Sequence, residues 1–185
     1  MVRGYTQLAR GNTEDGLADF ERALTLQPKL AKAWLGKARA LVFFRRLDGA
    51  EEAIERAIEL DPQNSAAYLA RASLNEIRGN LEPMLADMRR ALELDPQNAT
   101  LWHSLSMVDA KFGRLSEALA KLDRALEVDP DLVQARIDRS KYLGNRGRVE
   151  EALRDLEHAE ACAPSPGQLQ ELRDLRRSLG SRVPR

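Results

Sequence analysis

The residues able to do chemistry in this chain are few. There are two histidines, His103 and His158, and one cysteine, Cys162. Three such groups cannot fill a four-ligand zinc site unless carboxylates help. His158 and Cys162 are four residues apart and would share one face of a helix, an arrangement open to a metal ion or an activated thiol. Yet Cys162 falls in a 34-residue column with Leu26, Leu60, Leu94 and Val128, which makes it a buried small hydrophobe by expectation. The adjacent carboxylates Glu51-Glu52 and Glu150-Glu151 stand where helices open and acids suit the positive dipole end. No glycine-rich phosphate loop occurs, and no nucleophile stands with a base. The expectation is a chain that is not an enzyme, with no catalytic residues, metal or cofactor.

The elements that would position any such group repeat. Pro28, Pro62, Pro96, Pro130 and Pro164 recur every 34 residues, as do Ala23, Ala57, Ala91, Ala125 and Ala159. Gly11, Gly79, Gly113 and Gly147 form a third column, with Arg45 in its gap. Between prolines lie two helical patterns. The first ends at the glycine, which tolerates the left-handed C-cap conformation. The second ends at Asp-Pro, because proline disfavours helix in its predecessor and lacks an N–H. Asn64 and Asn98 stand where the following helix needs an N-cap. Gly4, Ala38, Ala72, Ser106 and Ser140 keep one place on the first helix small, and the alanine column does so on the second, so the two can approach closely. Trp34, Tyr68 and Trp102, with Phe20, Ile54, Met88, Leu122 and Leu156, read as core.

Composition agrees. Hydrophobic residues make up 43% and aromatics 5%, with 29 basic against 29 acidic residues. Such neutrality advertises neither nucleic acid nor an acidic membrane surface, and no apolar run reaches the roughly 18–20 residues of a membrane span. One cysteine rules out an internal disulfide framework and fits a reducing, cytoplasmic setting. Met1-Val2-Arg3-Gly4 does not open a signal peptide, although a leader before residue 1 would allow a periplasmic or anchored form.

Trp34, Ala38, Ala50, Ile54, Ala57 and Pro62 are similar to the tetratricopeptide signature. Trp102, Leu105, Gly113, Ala118, Leu122, Ala125 and Pro130 resemble it as well or better. Met84, Arg45 and Arg136 depart from it and are expected to loosen packing locally. The resemblance implies an all-α, right-handed superhelical solenoid of antiparallel helix pairs, one array over residues 1–180. Its repeats are 1–30 (truncated), 31–64, 65–98, 99–132 and 133–166, followed by a capping helix at 168–179 and a basic tail at 181–185. Eleven helices follow from this division. The implied function is a non-catalytic adaptor that binds another protein or peptide. The alternatives are a targeting or lid domain of a larger enzyme such as a transferase, or a scaffold that self-associates through its uncapped first repeat, where Tyr5 and Leu8 would be left partly uncovered.

Charge is sorted by helix. First-helix stretches carry sixteen basic and three acidic residues, and second-helix stretches eight and twenty-four. In the resembled family, first helices line the concave face. The groove set is therefore Lys32, Leu35, Arg39 and Phe43; Leu69, Ser73, Glu76 and Ile77; His103, Met107 and Lys111; and Ile137, Asp138 and Lys141. Apolar anchors flanked by cations suit an acidic or amphipathic peptide. The carboxylate clamp of chaperone-binding members is not matched at Leu35, Arg39, Ala70, Thr100 and Ser104. The asparagine ladder of sugar-transferase arrays is not matched by Gly36, Ala70, Ser104 and Asp138.

Overall fold

The computed structural model describes residues 13–162 and 164–180. Every described element is a helix: α1 (Thr13–Leu26), α2 (Ala31–Phe43), α3 (Leu47–Leu60), α4 (Ser65–Arg78), α5 (Leu81–Leu94), α6 (Ala99–Lys111), α7 (Leu115–Val128), α8 (Val133–Asn145), α9 (Val149–Ala161) and α10 (Pro166–Gly180). The helix expected at 2–10, with Gly4, Tyr5 and Leu8, and the tail at 181–185 lie outside the described residues. None of the described helices is long and apolar enough to cross a membrane.

Contacts gather the chain into two units, 1–95 and 96–185. In the first, α1 to α5 pack in chain order and α2 also touches α4. In the second, α6 pairs with α7, α7 packs on α8, α8 pairs with α9, and α10 lies against both α8 and α9.

Each pair is held by the small columns. Ala38 and Ala72 in the first unit, and Ser106 and Ser140 in the second, are buried, as are Ala57, Ala91, Ala125 and Ala159. The two serines satisfy their hydroxyls locally, donating to the carbonyls of His103 and Ile137 at 2.6 and 2.8 Å. On α3, Ala50, Ala53, Ile54 and Ala57 form the buried face at helical spacing. Phe20, Ile54, Leu122 and Leu156 are fully buried, while Met88 is half-buried.

The turns follow the expected chemistry with two refinements. Gly79, Gly113 and Gly147 take φ of 76°, 73° and 76°, and Arg45 is held at φ 57° in the same role. Asn98 caps α6 by accepting from the Leu101 N–H at 2.9 Å. Asn64 sits at the matching position without that bond, because its amide reaches back to Asp61 at 3.4 Å instead. The final helix is longer than 168–179. Ser165 and Gln168 exchange bonds, Ser165 N–H to Oε1 at 3.0 Å and Gln168 N–H to Oγ at 3.4 Å. That capping box opens α10 at Pro166, a residue suited to the first helical turn.

Candidate functional site

Two interhelical devices position the surface residues. The first ties each first helix to the turn before it. Trp34 Nε1 donates to the Pro28 carbonyl at 2.8 Å, Tyr68 Oη to Pro62 at 3.2 Å, and Trp102 Nε1 to Pro96 at 3.0 Å. Arg136 Nε makes the same bond to Pro130 at 2.7 Å and also pairs with Asp155 at 3.1 Å. The expectation that Arg136 loosens its repeat is therefore corrected: the column conserves a donor six residues after the proline, and guanidinium supplies one.

The second device is a guanidinium clamp. Arg71 grips the buried Asp87 of its own repeat at 2.7 Å and Glu55 of the preceding one at 2.8 Å. Arg139 repeats this with Asp155 at 2.6 Å and Asp123 at 2.7 Å. The hydrogen bonds to Asp87 and to Asp155 raise the two arginines' pKa further. The intervening repeat inverts the scheme. Leu105 stands in the arginine column, and Lys121 stands in the Asp87/Asp155 column, where it pairs with the buried Asp109. Arg78 likewise reaches back to Asp48 and Glu51 and Lys37 to Glu21. Much of the sorted charge thus meets between helices inside each unit.

The groove residues divide accordingly. In the first unit Lys32, Arg39, Phe43, Ser73, Glu76 and Ile77 are exposed and Leu69 is half-buried. Leu35 is buried against Ala57 and Ala67, so it packs helices together and offers nothing to a partner. Phe43 is 68% exposed, and Ile77 at the equivalent place on α4 is 39% exposed. In the second unit Met107 and Lys111 are exposed and His103 is half-buried. Ile137 is fully buried in one cluster with Leu172 and Leu179 of α10. Asp138 is 3% exposed and binds His103 Nε2 at 2.9 Å and Lys141 Nζ at 2.8 Å, while Lys141 also pairs with Glu171 at 2.7 Å. Burial alone would raise the Asp138 pKa. Hydrogen bonds from His103 and Lys141 outweigh it and hold the carboxyl below its usual range. Ile137, Asp138 and Lys141 therefore dock the cap. Among the described residues, Arg39 and Lys111 are exposed cations of the set with no ion-pair partner. In the second unit Phe112 is also 52% exposed, with Arg114 stacked 5.3 Å over its ring. Its column alternates Phe44, Arg78, Phe112 and Arg146, a signal that periodicity alone would not sort into inside or outside.

The Cys162 expectation is also corrected. Leu26 in its column is 80% exposed, and Cys162 is itself partly exposed. The thiol lies 3.5 Å from Asp131 Oδ1, which His158 Nε2 approaches at 2.9 Å. The His158 bond holds Asp131 below the usual carboxylate range, while burial and then the Asp131 hydrogen bond push the thiol up.

Models of the tetratricopeptide repeat match residues 7–74, 65–98 and 104–167. The chain belongs to the tetratricopeptide repeat family. No curated protein sequence matches it. Solved tetratricopeptide structures are similar in fold. PilF of Pseudomonas aeruginosa shares 17% identity over 96% of this chain and 86% of its own, with a TM-score of 0.78. YrrB, described as a TPR protein with an unusual peptide-binding site, shares 21% over 92% and 88%, with a TM-score of 0.65. A thermophilic TPR protein of Thermus thermophilus shares 26% over 97% and 94%, with a TM-score of 0.59.

Proposed function

We propose that the chain binds a segment of another protein against exposed first-helix residues, and that this segment carries acidic and apolar side chains. Tetratricopeptide arrays are protein-interaction modules in general, and the fold is typically a non-catalytic scaffold. The observation that carries the finer reading is the pairing of an unpartnered cation with a solvent-exposed apolar side chain one helical turn away. Arg39 and Phe43 provide it on α2, and Met107 and Lys111 on α6. Residues four apart share a helix face. Beyond an edge-on contact of Phe43 with Phe44 at 5.5 Å, leaving a large aromatic at solvent beside a free guanidinium gains little for folding, whereas both groups are common anchors at interfaces. YrrB's described peptide-binding site supports a peptide segment as the ligand class.

The experiment is affinity capture from host extract, followed by surface plasmon resonance on the captured partner across a salt series. Arg39→Glu and Lys111→Glu should slow association and flatten its salt dependence, because exposed charges mainly steer encounter. Phe43→Ala and Met107→Ala should speed dissociation. Glu52→Lys on α3 is the control, since Glu52 is exposed on a second helix. A partner retained by all four variants, or lost equally from the control, would remove these first-helix residues from consideration.

A further inference from the structure

Asp131, His158 and Cys162 come together from two places in the second unit. Asp131 stands in the turn between α7 and α8, and the other two lie at the C-terminal end of α9. One carboxylate oxygen, one imidazole nitrogen and the thiol sulfur all fall within 4.8 Å of one another. Tetrahedral zinc with ordinary bond lengths sets its ligand atoms about 3.3–3.5 Å apart. The observed separations of 2.9 Å and 3.5 Å to Asp131 Oδ1 bracket that spacing, so small rotations about side-chain bonds would bring the three into register.

The other repeats serve as an internal control. Where His158 stands, the chain elsewhere has Arg22, Arg56, Arg90 and Arg124. Three residues later, Glu59, Glu93 and Glu127 pair with the last three of these arginines, whereas the fifth repeat has Ala161. Where Cys162 stands there are Leu26, Leu60, Leu94 and Val128, and where Asp131 stands there are Lys29, Gln63 and Gln97. Departures at four columns thus converge on one spot. Together they remove a cation and its bound glutamate and bring in a carboxylate, an imidazole and a thiol. Arg136, on the helix that follows Asp131, is already bonded to the Pro130 carbonyl and Asp155.

We infer that Asp131, His158 and Cys162 form a three-ligand site for a borderline divalent cation, best matched by Zn²⁺, that fastens the α7–α8 turn to the end of α9. The donor set decides the class. A thiolate with an imidazole disfavours Mg²⁺ and Ca²⁺, which require oxygen, and suits zinc. Carboxylate and thiolate together neutralise the ion. Binding releases the Cys162 proton to solvent and leaves the His158 ring proton on Nδ1. The exposed fourth position is filled by water. None of this depends on the peptide-binding surface.

The test uses the full chain, stripped with chelator and kept reduced, titrated with Zn²⁺ by calorimetry and with Co²⁺ by absorption spectroscopy. One metal per chain is expected, with a sulfur-to-cobalt charge-transfer band and a rise in Tm on adding Zn²⁺. Cys162→Ser should abolish the band. Asp131→Asn and His158→Gln should each weaken zinc binding more than about 100-fold, since even outer-sphere partners of a metal are worth roughly 10–100-fold. The double variant His158→Arg with Ala161→Glu restores the ion pair of the other repeats, so it should fold at least as well and bind no metal. Absence of the cobalt–thiolate band in the wild type, or zinc affinity unchanged in the double variant, would overturn the site.

Discussion

At the scale of single residues, two backbone positions make opposite demands. Arg45 occupies the left-handed conformation that its column otherwise gives to glycine, and a Cβ there costs about 1–2 kcal/mol. Arg45→Gly should therefore raise stability by about 1 kcal/mol, part of the gain being returned to glycine's greater freedom when unfolded. A higher urea midpoint would bear this out, and an unchanged one would show that the turn carries no strain. Gly36 is the converse. A Cβ there would lie 2.4 Å from two carbons of the Phe20 ring, and a buried ring has nowhere to turn. Gly36→Ala should cost about 1–3 kcal/mol by overpacking, even though alanine is the better helix former. A neutral or stabilising outcome in the same measurement would mean that Phe20 repacks freely. The glycine column announced itself in the sequence through its period. Gly36 did not, because its column holds Ala70, Ser104 and Asp138 and only three-dimensional proximity to Phe20 gives it meaning.

At the scale of elements, the final helix shows what sequence could and could not supply. Leu169, Leu172, Leu175 and Leu179 recur at helical spacing and mark an amphipathic cap, and Ser165-Pro166-Gly167-Gln168 spells out the capping box that opens it. How it docks was not legible. A Cβ on Gly144 would lie 2.4 Å from Leu179 Cδ2, so a bare backbone on α8 receives that leucine, while Glu171 joins Lys141 and Gln168 reaches Gln134. Gly144→Val should displace Leu179 and speed amide exchange over 166–180 while leaving α6 and α7 protected. Uniform acceleration across the second unit would instead mean that α10 and its neighbours open as one. The docking also accounts for the burial of Ile137 and Asp138, two residues that the sequence places in the groove set. They share the register of the other expected groove residues, but α10 packs on the helix that carries them, a tertiary fact that periodicity cannot encode.

At the scale of the whole molecule, sequence alone established the family, helix order and turn chemistry, because every repeat votes on the same columns. The sorting of charge by helix is legible in the sequence too, but which cation meets which acid is not. Within each unit, Arg71, Arg78 and Arg139 turn much of that sorting into contacts between helices, and the long guanidinium side chain makes the reach possible. Acid should expose this reliance. Asp138 has its folded pKa depressed by His103 and Lys141 after burial has pushed the other way. Its contribution is thus fully present above the unfolded carboxylate value near 3.9, and is lost as pH falls through the lower folded value. Denaturant midpoints measured between about pH 2 and 6 should fall with acid in the wild type and fall less steeply in Asp138→Asn. Parallel acid limbs would assign the loss to other carboxylates.

The clamp also constrains how the chain could change in length. Arg139 needs an acid at the position of Asp123, and the same column one repeat earlier holds Arg89. Excising residues 99–132 would set guanidinium against guanidinium, although every helix and turn signal stayed in phase. Excising two repeats together, 65–132, would offer Glu55 to Arg139 and restore the attraction. The clamp therefore penalises loss of 99–132 alone but not loss of 65–132. Glu21–Lys37, Glu55–Arg71 and Asp123–Arg139 keep one pairing along the chain, and a single repeat, with Arg89 before it and Leu105 within it, sets where that pairing can be cut.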